Sequence, residues 1–157
     1  MPLVSTSLKS ELEKFFDPDS PNFEGFPDPE NFQDVVDKWS GAVDNYASQV
    51  VPVSVNAVAA KAAFAAVIAT INSDAQNGPV QLVAAFTAYA AQLALGMQPA
   101  FTGTPPITPI VLDSVYAIGL STGSNGDCLN ELVSLIDSWF KTGTAINNVS
   151  GATVNWT

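Results

Sequence analysis

Apolar side chains recur at spacings of three and four residues along much of the chain, which is the pattern of amphipathic helices. The first such stretch includes Leu8, Leu12, Phe15 and Phe16. It follows hydroxyl side chains at residues 5–7 that can cap a helix start. Asp17-Pro18 should end this helix, because proline cannot continue it.

A second helix is predicted between two prolines. Asp28 can cap its start, Pro29 suits the first helical position, and Glu30 favours the positive end of the helix dipole. Pro52 should end it. The apolar stripe of this segment is expected to face a core, with Trp39 as an anchor; its members are Phe32, Val35, Val36, Trp39, Val43, Tyr46, Ala47 and Val50.

Two alanine-rich segments, Ser54–Gln76 and Val80–Met97, are predicted to form an antiparallel helical hairpin around the break at residues 77–79. Large apolar residues lie on one face of each segment. The opposite faces carry alanine, threonine, glutamine and serine, which cost little free energy to desolvate. These faces therefore suit contact with another protein chain.

The last third of the chain predicts two more helices and an extended tail. Residues 98–109 are rich in proline and favour a stiff crossover. Residues 110–120 favour a short helix, and a final helix should be capped by Asp127 and end near Gly143. The tail from Thr144 to Thr157 contains strand-forming residues. Its Trp156 either packs on its own helices or docks on a neighbour, and both readings stay open.

These elements predict an all-α fold, a bundle of four to five helices with Pro-rich crossover loops and a short extended C-terminal arm. We expect a single helical domain over residues 1–157. Residues 1–29 supply an N-terminal helix and an acidic, Pro-rich loop, and residues 144–157 supply the C-terminal arm.

Charge is distributed very unevenly. The net charge is −10, and thirteen charged residues lie in the first 44 positions. From Tyr46 to Gly126 only Lys61, Asp74 and Asp113 are charged. A soluble domain usually spreads ~25% charged residues over its surface. The neutral stretch should therefore be covered by its own fold, by a partner subunit or by lipid.

Composition argues against several classes of function. Five scattered lysines and no arginine do not make a nucleic-acid surface. Without histidine the chain lacks the commonest general base and metal ligand, and Cys128 stands alone. We expect no enzymatic activity, no cofactor and no resident metal. The N-terminus lacks a signal-peptide pattern, so synthesis in a cytoplasm is expected.

The acidic loop at residues 17–29 raises two questions. Its oxygen side chains resemble part of a calcium loop, but Pro21 and Asn22 stand at the fifth and sixth positions and Asp28 at the twelfth, so a solvated loop is favoured. Phe23 and Phe26 are unusual in such a loop. They either pin it to the helical body, which we favour, or insert into a neighbouring subunit.

A membrane protein is the less favoured explanation of the neutral stretch. Val80–Met97 has 18 residues without a charge, close to the minimum for a span. Glutamines interrupt it, Lys61 interrupts the preceding segment, and no cationic loop sets an orientation. A two-span pore former therefore ranks below a soluble assembly.

The sequence resembles small virion structural proteins of tailed bacteriophages, including those of cyanophages. The resemblance rests on the alanine-rich helices, Thr104-Pro-Pro106, residues 138–145 and the closing Val-Asn-Trp-Thr. It implies a structural subunit of head, neck, tail or baseplate, which is made in the host cytoplasm and located in the virion. Its partners would be other virion proteins and copies of itself, with no nucleic acid and no membrane. Phe23, Phe26 and Trp156 are the candidate interface residues.

A different class of function remains as the alternative. A small soluble helical binding or adaptor module would use a neutral groove to take a helix from a partner. Self-association of the purified protein would discriminate this class from a virion subunit.

Overall fold

The computed structural model of the protein describes residues 3–28, 30–71 and 77–157. Within these ranges the chain forms six helices and one small antiparallel sheet. The helices are α1 (Ser5–Phe16), α2 (Phe32–Ala47), α3 (Ala57–Ile68), α4 (Gly78–Leu95), α5 (Asp113–Thr122) and α6 (Asn125–Phe140). The strands are β1 (Phe101–Thr104), β2 (Thr144–Asn147) and β3 (Thr153–Asn155).

The predicted hairpin of alanine-rich helices is confirmed by the packing of α3 on α4. Phe64 of α3 is wholly buried, and its ring centroid lies 5.2 Å from that of Phe86 in α4. The two rings meet edge to face, the arrangement that aromatic quadrupoles favour. Alanine around them lets the two helix axes approach closely.

An aromatic cluster joins this hairpin to the other helices. The Phe140 ring of α6 lies 5.8 Å from Tyr46 of α2 and 6.2 Å from Tyr89 of α4. Leu8 and Leu12 of α1 are wholly buried, and α1 packs against both α2 and α6. One hydrophobic core therefore includes residues of α1, α2, α3, α4 and α6.

The predicted starts of α2 and α6 are each displaced from the observed ones. Asp28 does not cap α2; its carboxylate accepts a 2.9 Å hydrogen bond from the Glu30 amide in a turn, and Asn31 is the residue before the helix. In α6 the cap is Ser124, whose hydroxyl accepts from the Asp127 amide. In both cases the predicted acid lies near the start of the helix, but a different residue occupies the position before the first helical residue. Pro29 lies outside the described residues.

The ends of the predicted helices also shift. Helix α2 ends at Ala47 rather than at Pro52, and α3 is shorter than the predicted Ser54–Gln76, of which residues 72–76 lie outside the described residues. Helix α5 begins three residues after the predicted start at Ile110. Phe32 is 41% exposed, so the buried stripe of α2 begins after it.

The predicted fold is confirmed only in its broader form: the described chain is mostly helical, but it is not an all-α bundle, because it also contains a three-stranded sheet. The tail forms β2 and β3, and β1 lies inside the segment expected to be only a crossover. The strand order is β1-β2-β3, with Gly103 opposite Ala145 and Ala145 opposite Val154. Strand β1 fits between Pro99 and Pro105, so no proline interrupts its ladder.

Candidate interaction surface

The sheet is held at one end of the helical body by close backbone contacts. The amide of Val55 donates to the carbonyl of Gly96, which places the start of α3 beside the end of α4. A side chain at Gly96 would collide with the backbone nitrogen of Asn56 at 2.6 Å. At Gly103 in β1 a Cβ would come within 2.7 Å of the Ala94 carbonyl oxygen. Gly96 therefore lets residues 54–56 approach the end of α4, and Gly103 lets β1 lie directly on α4.

The outer edge of β3 is only partly paired. Val154 pairs with Ala145, and the flanking bonds from Asn147 to Ala152 and from Trp156 to Gly143 run to the same side. Because hydrogen-bonding directions alternate along a strand, the main-chain groups of Thr153 and Asn155 point away from β2. Neither residue has a hydrogen-bond partner on that side within the described part of the chain.

Val51 pairs with the outer edge at Thr157, two residues beyond Asn155. Its amide donates to the Thr157 carbonyl at 2.8 Å, and the Thr157 amide donates back at 3.1 Å. Beyond Val51 the chain turns away at Pro52, which has no amide hydrogen to continue the ladder. The edge is therefore open over Thr153 and Asn155 and closed at Thr157.

A groove of about 970 Å³ lies between this edge and the loop at residues 51–53. Its walls are mostly apolar, and none of the side chains that line it is charged. They belong to Val51, Pro52, Val53, Ala100, Phe101, Thr153, Val154, Asn155 and Thr157. Volume and composition are those of a site that takes an apolar side chain or segment.

The groove lies within a larger surface that we call the neutral end, formed by residues 48–60, 95–104 and 142–157. These three segments contain no charged side chain. Large apolar side chains are nevertheless exposed there, among them Val53 (71%), Val55 (80%) and Leu95 (62%). An exposed apolar patch without charges is typical of a surface that contacts another molecule.

The hairpin adds a second surface that is mostly uncharged, although Lys61 of α3 is exposed on it. The exposed positions of α4 form one stripe of Val80, Ala84, Thr87 and Leu95. On α3, Ala62, Ala66 and Ala69 are exposed. The exposed alanines and Thr87 match the predicted small side chains, whereas the exposed Val80 and Leu95 do not; whether these faces contact another chain stays a prediction.

The three candidate interface residues occupy very different surroundings. Trp156 is wholly buried, its ring packs against Gly143, and its indole N–H donates to the Thr144 carbonyl at 3.0 Å. Of the two alternatives for Trp156, the structure shows the packing on its own chain. In this fold its indole has no surface to offer a neighbour.

Phe23 and Phe26 form a pair of their own. Their ring centroids are 5.0 Å apart in an edge-to-face arrangement. Phe23 is partly buried, whereas Phe26 is 61% exposed and is the most exposed aromatic ring among the described residues. Phe23 is therefore partly covered and Phe26 faces solvent; whether Phe23 pins the loop to the helices stays a prediction.

Donors within the acidic loop bind two nearby carboxylates, one in the loop and one in α1. Asp17 is buried and accepts from the Asp19 amide at 3.2 Å, and Glu13 accepts from Asn22 at 3.3 Å. Across residues 3–28, 30–71 and 77–157 there is no group of three acids or cysteines that could hold a metal ion. The calcium hypothesis gains no support from this geometry.

One helix within the described ranges, α4, is long and apolar enough to cross a membrane by length and composition. A third of it is buried in the fold, including Phe86, Tyr89 and Leu93, and core helices of soluble proteins have the same properties. Helix α3, with 12 residues, is about 18 Å long and shorter than the ~30 Å hydrocarbon core. The pair does not favour a two-span pore.

The groove residues were missed by reasoning from the sequence. Phe101 lies among prolines, and Val51 and Val53 flank the proline expected to end α2, so none carried a strand or site signal. The strand-forming residues of the tail did indicate strand character near Val154. Comparisons with protein-family models, curated proteins and solved structures find no match to the chain.

Proposed function

We propose that this chain is a non-enzymatic structural subunit of a tailed-phage virion, in the head, neck, tail or baseplate, and that it acts by protein–protein assembly. The observation that supports assembly is the neutral end, where apolar side chains are exposed around an open strand edge and a groove. The virion part of the proposal rests on the resemblance of the sequence.

Charge separation explains how assembly is compatible with solubility. With a net charge of −10, two copies repel each other when their acidic regions meet. Contact through the neutral end avoids this repulsion, because that surface contributes no acidic side chain. Apolar burial there would stabilise the contact at about 25 cal/mol per Å².

Two measurements test the proposal. Mass spectrometry of particles purified from a lysate of the culture that carries the gene should find this chain at a fixed ratio to known capsid or tail proteins. Light scattering on the purified protein should show mass that rises with concentration. Absence from the particles would refute a virion role.

A matched pair of variants tests the surface. Leu95→Lys places a charge on the neutral end, and Leu120→Lys places the same charge on α5, where Leu120 is 90% exposed. We expect Leu95→Lys to weaken self-association and Leu120→Lys to leave it unchanged. Equal effects of the two variants would show that net charge, rather than this surface, controls association.

The groove supports a second candidate function, a small soluble binding or adaptor module. An open, apolar groove of about 970 Å³ can take a side chain or short segment from a different protein. This function predicts a monomer at all concentrations and a partner in the host or phage proteome. The light-scattering experiment separates it from the virion subunit.

A further inference from the structure

We infer that the groove at the neutral end receives Phe26 of a second copy of this chain, in a head-to-tail contact. This inference deepens the proposed function and rests on it, since it names the partner and both contacting surfaces. It follows from three observations on the described residues: an unfilled apolar groove, an exposed aromatic ring, and the distribution of charge and hydrogen-bond donors.

The groove requires a bulky apolar occupant. Phe101, Val53 and Val154 present apolar surface to it, and Val53 and Val154 remain 71% and 40% exposed. Pairing of two β3 strands would satisfy the open edge but would leave this volume empty. Only Thr153 and Asn155 have outward main-chain groups, so such an edge is also too short for a stable dimer by itself.

Among the described residues, Phe26 is the aromatic ring best exposed to enter the groove, and it would occupy part of the roughly 970 Å³ there. Its ring is 61% exposed, with Phe23 packed on one side of it. The neighbouring Gly25 has φ of +132°, a conformation that favours glycine and turns the chain at that point. The amides of Glu24 and Gly25 both donate to the Lys14 carbonyl, so the loop that carries Phe26 is fixed to α1.

The chemistry around the two surfaces is complementary. The knob, which we define as residues 23–28, carries two acids, Glu24 and Asp28, each two residues from Phe26 in the sequence. No acidic side chain lines the groove, and at its rim the outward amides of Thr153 and Asn155 can donate hydrogen bonds, beside the outward carbonyls of the same residues. Against the acidic helices α1 and α2 of a neighbour the same loop would be repelled.

A contact between two different surfaces of one chain is heterologous, so it builds rings or filaments rather than closed dimers. Every copy would offer one knob and one groove. If all copies lack the knob, or all lack the groove, the assembly should not grow. A copy without the knob and a copy without the groove should still form one intact contact, between the groove of the first and the knob of the second.

The test uses two variants in the full-length chain. Phe26→Ser removes the knob, and Val53→Asp places a carboxylate at the groove, where it opposes both apolar burial and Glu24. Both positions are exposed, so the fold should survive. Controls with matched chemistry are Phe32→Ser, at an exposed ring in α2, and Leu120→Asp, on α5. Circular dichroism checks that all four are folded.

Sedimentation velocity then gives the result. We expect each of the two variants alone to lose self-association by at least about tenfold, and their mixture to form a 1:1 dimer that does not grow further. The control variants should assemble like the wild-type chain. Two results would overturn the inference and leave the proposed function standing. In one, Phe26→Ser assembles as well as the wild-type chain; in the other, the mixture of the two variants stays monomeric.

The remaining outcome separates the two claims. A wild-type chain that stays monomeric up to its solubility limit overturns head-to-tail self-contact. If that chain is nevertheless present in purified particles, the virion role holds through other partners. If it is absent from them, the proposed function fails as well.

Discussion

The hydroxyl of Tyr46 in α2 donates a 2.7 Å hydrogen bond to the carboxylate of Asp137 in α6, across 91 residues of sequence. In a second pair of the same kind, the hydroxyl of Tyr89 in α4 donates a 3.1 Å hydrogen bond to the carboxylate of Asp44 in α2. Both phenol rings are buried in the aromatic cluster around Phe140. Each tyrosine therefore fills the core with its ring and ties two helices together with its hydroxyl.

These pairs predict that the protein loses stability in alkali. Burial raises the pKa of both phenols well above the usual range, and the neighbouring Asp137 and Asp44 raise it further. In the unfolded chain tyrosine ionises near pH 10. Below that pH the stabilisation is fully present; above it the unfolded state releases protons that the folded state keeps, so the free energy of unfolding falls.

Urea denaturation at a series of pH values from about 8 to 11 measures this effect. The double variant Tyr46→Phe/Tyr89→Phe should show a shallower fall than the wild-type chain above pH ~10. At neutral pH each single variant should cost about 1–2 kcal/mol, because a hydrogen bond to a charged group is lost. Parallel curves for the double variant and the wild-type chain would contradict this account.

The helices were largely predictable because their core faces repeat at helical spacing. Leu8 and Leu12, or Phe86, Tyr89 and Leu93, form stripes that do not depend on the rest of the fold. Helix ends were less predictable because several residues near each end can cap. At α6 both Ser124 and Asp127 have capping chemistry, and only the backbone path decides between them.

The sheet and the groove depend on contacts that are distant in sequence. Phe101 pairs with Asn147, and Val51 pairs with Thr157. Strands of three or four residues carry too few alternating positions to be recognised alone. The uncharged sequence did predict a surface free of charge, but its open strand edge is visible only when these segments come together.

The cap of α6 gives a prediction that separates the two candidates. Ser124→Ala should cost about 1 kcal/mol, since its hydroxyl accepts from the amide of Asp127 at 3.2 Å. Asp127→Ala should cost less, about 0.3–1 kcal/mol, because Asp127 contributes only through the helix dipole. Thermal unfolding followed by circular dichroism measures both. A larger loss for Asp127→Ala would restore the cap predicted from sequence.

Trp39 tests the value of a partly buried anchor. Its ring lies 5.3 Å from that of Phe16, and it packs at the margin of the core rather than inside it. We therefore expect Trp39→Ala to cost about 2 kcal/mol. That is less than the ~3–5 kcal/mol typical of a fully buried ring. Denaturant unfolding measures this loss. Phe16→Ala is the partner variant, and because the two rings are in contact, the double variant should lose less stability than the sum of the two single losses.

The C-terminal strands should behave as part of the core, because Trp156 is wholly buried. Trp156→Ala should cost about 3–5 kcal/mol. Gly143→Ala should also destabilise, since its Cβ would come within 2.7 Å of Cε3 of that indole. Val149→Ala, at a side chain that is 96% exposed in the β2–β3 turn, is the matched control and should have almost no effect.

Truncation after Asn148 sharpens the same test. A free arm would be dispensable for folding, so its removal would abolish assembly while helix content and unfolding temperature stayed constant. In the observed fold the truncation deletes β3 and Trp156, so Ala145 loses its strand partner and Gly143 loses the indole packed against it. We expect a lower unfolding temperature or an unfolded chain, measured by circular dichroism, before any effect on assembly. A truncated chain as stable as the full one would show that Trp156 adds nothing to the core.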